Sequence, residues 1–312
     1  MRVVFMGSPP FAGPVFDALL ASPSHSVVGL VTRPDKPRGR GMRIVESELV
    51  ARARTREVAL LQPERARGPE FIAALRALKP DVIIVASFGE ILKADVLELP
   101  AFGCLNVHAS LLPRHRGASP IQAAIQAGDI ETGVSVQRMV LALDEGDVVI
   151  ELRTQIGEHE NGGELLERLA LLGGEAAVRA LDQLAAGTAH FTPQDHTRAT
   201  YAKKIKKEDG VIDWSHSAVD LDRRVRAFTP WPGARATTSS GEIVLLDVRV
   251  HGDTPDRAAP GTILATRPTL LVACGAGALE LHALKPAGKG RMDAQAWLNG
   301  ARLDVGANIG GA

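Results

Sequence analysis

The chain has 312 residues, 36 Lys/Arg against 36 Asp/Glu for a formal net charge of +0, and 45% hydrophobic against 23% charged residues. These are values of a folded globular protein long enough for two cores, and the neutral balance excludes a general polyanion binder. No apolar run reaches the roughly 18 residues of a membrane span, no signal-peptide layout opens the chain, and Cys104 and Cys274 show neither metal nor Cys-x-x-Cys spacing. The expectation is a cytoplasmic monomer with no membrane partner, no metal, and two buried free thiols.

In chain order, strands are predicted over Arg2 to Met6, Ser26 to Val31, Asp81 to Ala86 and Gly103 to Val107. Phe11 to Leu20, Pro69 to Leu78 and Gly163 to Leu184 carry the helical period. Strand and helix in alternation predict an α/β fold with a doubly wound, mostly parallel, Rossmann-like sheet. Runs such as Val82-Ile83-Ile84-Val85 are apolar on both faces, as a sheet covered by helices requires. The glycine turn at Gly7 lacks Gly-x-Gly-x-x-Gly and holds Pro9 and Pro10, so it argues against a dinucleotide site.

From Arg33 to Arg56 there are eight Lys/Arg against Asp35, Glu46 and Glu48, and Lys203, Lys204, Lys206 and Lys207 form a second basic island. Glycines between arginines in Arg38-Gly39-Arg40-Gly41 predict a mobile basic hairpin. Such islands meet phosphates without making the whole surface sticky, although solvated faces carry similar charge. Period is lost around 191–209, which reads as a linker. Beyond it, a helix from Ala218 to Ala227 and strands near Glu242 to Val250, Gly261 to Ala265, Thr269 to Ala273 and Ala278 to Leu284 predict a small, OB-like β-barrel. The predicted division is therefore 1–190, a linker 191–209, and 210–312, with a Gly-rich tail after Val305 expected to fray.

The chemistry concentrates at the end of the fourth strand. Alternation puts Asn106 and His108 on one face while Val107 turns inward. Ligands of parallel sheets sit beyond the carboxyl ends of the strands, where these residues fall. An amide, an imidazole and a carboxylate, here Asp144 of a second loop, can hold a developing oxyanion and move a proton, as acyl transfer to an amine requires.

Asn106 to Pro113, continued by Arg114-His115-Arg116-Gly117 and followed by Leu143-Asp144-Glu145-Gly146-Asp147, resembles the signature of the formyltransferases that use 10-formyltetrahydrofolate. The basic loop from Thr32 to Gly41, Ala227 to Pro232 and Leu284 to Lys289 resemble the branch that formylates methionyl initiator tRNA. The resemblance implies that Asn106 and His108 stabilise a tetrahedral intermediate and that Asp144 orients the ring or accepts the amine proton. It implies a folate contact by Ser110, Leu111, Leu112 and Pro113, and a pterin pocket lined by the segment of Phe88, Gly89 and Ile91, with Phe88 offering a stacking surface. It also implies contacts to the acceptor end of the tRNA from Lys36, Arg38, Arg40 and Arg43, supported by Lys203, Lys204, Lys206 and Lys207. An amino-sugar nucleotide is the alternative acceptor. Two departures stand out: Ala109 where many relatives have glycine, and a tail lacking their aromatic ending.

Overall fold

The structure is a computed structural model that describes residues 1–35, 37–38, 43–44, 46–252 and 258–310, with the backbone alone at 37, 38, 43 and 44. Its contacts divide the chain into two compact units, each assembled from separate stretches.

The first unit comprises Met1–Pro120, Glu131–Gln155 and Leu166–Lys203. In order it carries β1 (Arg2–Gly7), α1 (Ala12–Ala21), β2 (Ser26–Val31), the two-residue pair β3 (Pro37–Arg38) and β4 (Arg43–Ile44), α2 (Glu48–Thr55), β5 (Ala59–Leu61), α3 (Pro69–Ala77), β6 (Val82–Ala86), α4 (Ala94–Leu97), β7 (Cys104–His108) and β8 (Arg116–Gly117). After α5 (Pro120–Ala127) come β9 (Glu131–Arg138), β10 (Val148–Gln155), α6 (Gly162–Ala186) and β11 (Tyr201–Ala202).

The main sheet runs β10-β9-β7-β6-β1-β2-β5. Strands β5, β2, β1, β6 and β7 are parallel, and β9 and β10 are added antiparallel at one edge. This is the Rossmann-like arrangement expected, with the chain reversing its winding between β1 and β6. All five residues of β6 and five of the six in β1 are buried, because helices cover both faces of these strands. Helix α1 turns Val15, Phe16 and Leu19 inward at helical spacing, and the Phe16 ring stacks on Phe5 of β1 with centroids 5.1 Å apart. Strand β10, at the edge, alternates half-buried with exposed residues over its second half.

The stretch read as a linker is tied to this unit as far as Lys203. Thr192 exchanges backbone hydrogen bonds with Val148, and β11 pairs in parallel with β8. Its polar composition hid this, because the partners are backbone groups and buried polar side chains rather than apolar ones.

The second unit comprises Ile121–Ile130, Ile156–Leu165 and Lys204–Ala312. Besides α5 from Ile121 onward and the first turn of α6, it carries α7 (Ala218–Phe228), β12 (Ala234–Thr238), β13 (Gly241–His251), β14 (Ile263–Ala265), β15 (Leu270–Ala273), β16 (Ala278–Pro286), β17 (Met292–Asp293) and α8 (Ala294–Ala301). The strands form one antiparallel sheet, β12-β13-β16-β15-β14, with β17 against β16. Register shifts between Leu245 and Val248 bend β13, and the curled sheet is that of a small barrel domain. Neither β12 nor α8 is evident from periodicity. Helix α8 is short, and its signal is a cap: the Asp293 side chain accepts from the N–H groups of Gln295 and Ala296.

As far as Gly310 the tail is paired and does not fray. Ile309 is fully buried, Gly310 exchanges both backbone hydrogen bonds with Thr237 beside the edge strand β12, and Ile309 and Ala307 bond Gly261 and Ile263 at the opposite edge. Two sheet edges with unpaired N–H and C=O groups are strong reasons for a glycine-rich segment to order, and they outweigh its low side-chain content.

Candidate active site

Strand β7 lies between β6 and β9, so its last residues have neighbours on both sides. His108 is the final residue of the strand rather than the first beyond it. Antiparallel register sets Gln137 of β9 opposite Asn106, and Ser135 opposite His108. Val107 is buried between them. Asp144 enters from the loop after β9 with a left-handed backbone, φ 53°, which aspartate tolerates better than most residues.

The three predicted residues come together. The Asn106 side-chain amide donates to Asp144 Oδ1 at 3.3 Å, and Gln137 Nε2 donates to the same oxygen at 2.9 Å. Asp144 Oδ2 accepts from the Gly117 N–H at 2.8 Å and lies 3.7 Å from His108 Nδ1. The other ring nitrogen, Nε2, is 2.9 Å from the carbonyl oxygen of His115. A carbonyl can only accept, so Nε2 is the donor and Nδ1 is left facing the carboxylate as the edge that can gain or lose a proton. Asn106 carries a second amide N–H, is only partly buried, and shares the face of His108. A donor beside a proton-exchanging ring, backed by a fixed carboxylate, is what a tetrahedral oxyanion formed by amine attack needs.

The loop after β7 is held by its own polar groups. Ser110 is fully buried and its hydroxyl donates to the Arg114 carbonyl at 2.6 Å. Ser135 Oγ donates to the Ser110 carbonyl and accepts from the Leu112 N–H, and Leu112–Pro113 is a cis peptide bond. The hydroxyl expected to face a folate is thus turned inward and spent on loop geometry. Leu111 is half-buried, whereas Leu112 is buried.

Just past β6, Phe88 is only 3% exposed and packs in a cluster with Val4, Met6, Val85 and Leu92. It is core rather than a free stacking face, because the cluster leaves almost none of its ring exposed. Ile91 is 86% exposed beside it, and the Gly89 carbonyl, at a residue with φ 74°, accepts from the Arg33 guanidinium at 2.9 Å.

Several residues outside the predicted set support the site. Arg116 is 1% exposed and sits among the largest fully buried side chains, with its guanidinium 3.1 Å from Glu145 Oε1 and bonded to Gln194 Oε1. Gly117, φ 109°, has no room for a side chain, since an added Cβ would meet the Ala202 carbonyl oxygen at 2.6 Å. Arg116 and Gly117 belong to the quoted motif and could have been singled out. Gln137 is found only through register, and Gln194 carries no sequence signal.

Cys104, two residues before Asn106, is buried, and burial pushes its thiol up to about 12. It takes no part in nucleophilic chemistry. Among the described residues no cluster of His, Cys, Asp and Glu could hold a metal ion, and no helix is long and apolar enough to cross a membrane.

Of the basic positions, Lys36 and Arg40 lie outside the described residues. Arg38 and Arg43 are paired across β3 and β4, where only the backbone is described. Lys203, Lys204, Lys206 and Lys207 are all exposed.

Comparison with known proteins accounts for both units. A model described as formyl transferase matches residues 1–181, and one described as formyl transferase, C-terminal domain, matches residues 204–302. The chain belongs to the formyl transferase family. It is 40% identical over 311 residues to the methionyl-tRNA formyltransferase of Geobacter metallireducens, covering 99% of each chain. It is 45% identical to that of Stutzerimonas stutzeri, covering 93% of this chain and 91% of the relative. Similarity of this extent puts it within the methionyl-tRNA formyltransferase family. The solved structure of WlaRD, a sugar 3N-formyl transferase in the presence of dTDP and 5-N-formyl-THF, shares the fold with a TM-score of 0.67 at 13% identity, covering 93% of this chain and 99% of that one.

Proposed function

We propose that this enzyme transfers the formyl group of 10-formyltetrahydrofolate to the α-amino group of methionyl initiator tRNA, giving N-formylmethionyl-tRNA for the start of translation. The amine nitrogen attacks the formyl carbon, and the carbonyl electron pair moves onto oxygen. The second N–H of Asn106 and the His108 ring stabilise that oxyanion, and the amine proton passes to Asp144 directly or through the ring or water. Collapse breaks the bond to N10 of the folate, which leaves as tetrahydrofolate after taking a proton. The observation that carries this reading is the convergence on one carboxylate: Asp144 joins Asn106, Gln137, Gly117 and the free edge of His108 at the carboxyl end of β7.

The inward Ser110 favours a folate contact made by the Leu111 side chain and the rigid Leu112–Pro113 backbone. We assign catalysis to the first unit, which runs on past residue 190 to Lys203, and tRNA binding to 210–312, with Arg40 at the acceptor end, phosphate contacts from Lys36, Arg38 and Arg43, and support for the acceptor arm from the exposed lysines at 203, 204, 206 and 207. The enzyme acts in the cytoplasm as a monomer and uses no metal. An amino-sugar nucleotide is disfavoured as acceptor, because the likeness to that class is one of fold at 13% identity, against 40% over the full length for the tRNA enzyme.

The test supplies 10-formyltetrahydrofolate with methionyl-tRNA, an amino-sugar nucleotide and glycinamide ribonucleotide as competing acceptors. Formyl label is expected on the tRNA, and label on the sugar nucleotide would reverse the assignment.

A further inference from the structure

Gln194 lies in the polar stretch after α6, fifty residues from Asp144 and without any motif to mark it. It is 7% exposed, and its amide is committed on both sides. Oε1 accepts from Arg116 Nε at 3.2 Å and Nη2 at 2.8 Å. Nε2 donates to the main-chain carbonyls of Asp144 at 2.9 Å and Gly146 at 2.6 Å, with Gln137 Oε1 at 3.2 Å. The orientation is forced, since the reverse would set an NH2 group against a guanidinium and an oxygen against three acceptors.

These contacts bracket Asp144. Its backbone is held in the left-handed region by Gln194 and its side chain by Gln137, which Gln194 also touches. Gln194 is itself anchored. Thr192 is locked to Val148, and Asp195 caps the following turn, with hydrogen bonds from Thr197 holding its carboxyl below the usual carboxylate range. On the far side, Arg116 is fixed by Glu145 and meets His196 Nδ1 at 3.1 Å. The same stretch holds the other loop of the site: Thr200 accepts from the His115 and Arg116 N–H groups, and the His115 carbonyl orients His108.

We infer that Gln194 is a positioning residue for the formyl transfer, fixing the Asp144 backbone so that its carboxylate stays at the free edge of His108. This rests on the proposed roles of His108 and Asp144. A left-handed aspartate released from its carbonyl clamp can relax toward commoner backbone angles, and displacements of about 1 Å at such a site cost on the order of 100-fold in rate.

The test uses the full-length protein with Gln194→Met, which keeps the volume without the hydrogen bonds, and Gln194→Glu, which keeps the acceptor for Arg116 but loses the donor to the carbonyls. Both are expected to lower kcat by about 10- to 100-fold, with KM for formyl donor and tRNA within about threefold. Both should also shift the His108 ring resonances in NMR. Wild-type kcat and ring resonances in the folded fraction, with only a lowered Tm, would overturn the inference. Retained kcat in Gln194→Glu alone would also overturn it, by reducing the residue to a partner of Arg116. His108→Ala in the same assay separates the two levels: if that variant keeps full turnover, the reading of the site has failed rather than the role of Gln194.

Discussion

Among its described residues the first unit holds a histidine–aspartate pair away from the site that is tighter than the one at it. His25 Nε2 lies 2.9 Å from Asp182 Oδ1, while His108 Nδ1 lies 3.7 Å from Asp144 Oδ2. In both, the imidazole is buried. The carboxylates differ: the Asp182 side chain is 56% exposed, whereas that of Asp144 is 11% exposed and accepts from Asn106, Gln137 and Gly117. The His25 pair joins the segment before β2 to α6, and its other ring nitrogen, Nδ1, lies 3.4 Å from the terminal amine of Met1. Proximity alone therefore does not mark a proton-handling pair. On the proposed reading, what marks it is a carboxylate fixed by other partners, so that the histidine edge keeps room for a reacting group.

The largest test of this contrast is His108→Ala, for which turnover should fall by at least about 100-fold while folding and tRNA binding persist. Near-normal kcat would make the two pairs equivalent. Asp144→Asn is expected to cost on the order of tenfold or more in kcat, because the NH2 group it introduces must face one of the three donors that the carboxylate now accepts. An unchanged rate with unchanged pH dependence would remove Asp144 from the proton path. At the other pair the effects should be on stability. His25→Ala is expected to cost about 1–2 kcal/mol in a denaturant titration with turnover within about twofold, and Asp182→Asn less than about 1 kcal/mol, because the Asp182 carboxylate is half in solvent. A large activity loss in either would erase the distinction.

Much of this was legible in the sequence, for reasons that are local. The main parallel strands follow from short apolar runs, and the shared face of Asn106 and His108 follows from alternation in β7. Asp144 was reachable only through the family's motif, since a loop aspartate has no period. The residues that escaped depend on register and return of the chain. Gln137 matters because it lies opposite Asn106, and Gln194 because Thr192 bonds Val148. Ser110 and Phe88 have ambiguous chemistry, and only the fold decides that the hydroxyl serves the Arg114 carbonyl and the ring serves the core. The tail was misjudged because composition describes side chains, whereas its order comes from backbone pairing with Thr237, Gly261 and Ile263.

The interleaving of the two units has a consequence for synthesis. The chain passes between them five times, and the first unit is complete once Lys203 has emerged from the ribosome. At that moment the stretches 121–130 and 156–165, with Ile121, Ile125 and Leu165 destined for burial, have already been made, while 204 onward of their unit has not. At ordinary elongation rates the wait lasts on the order of ten seconds. The nascent enzyme thus holds a complete first unit while the rest of the second is still being made, and that interval is where chaperone capture or misassembly would act on it.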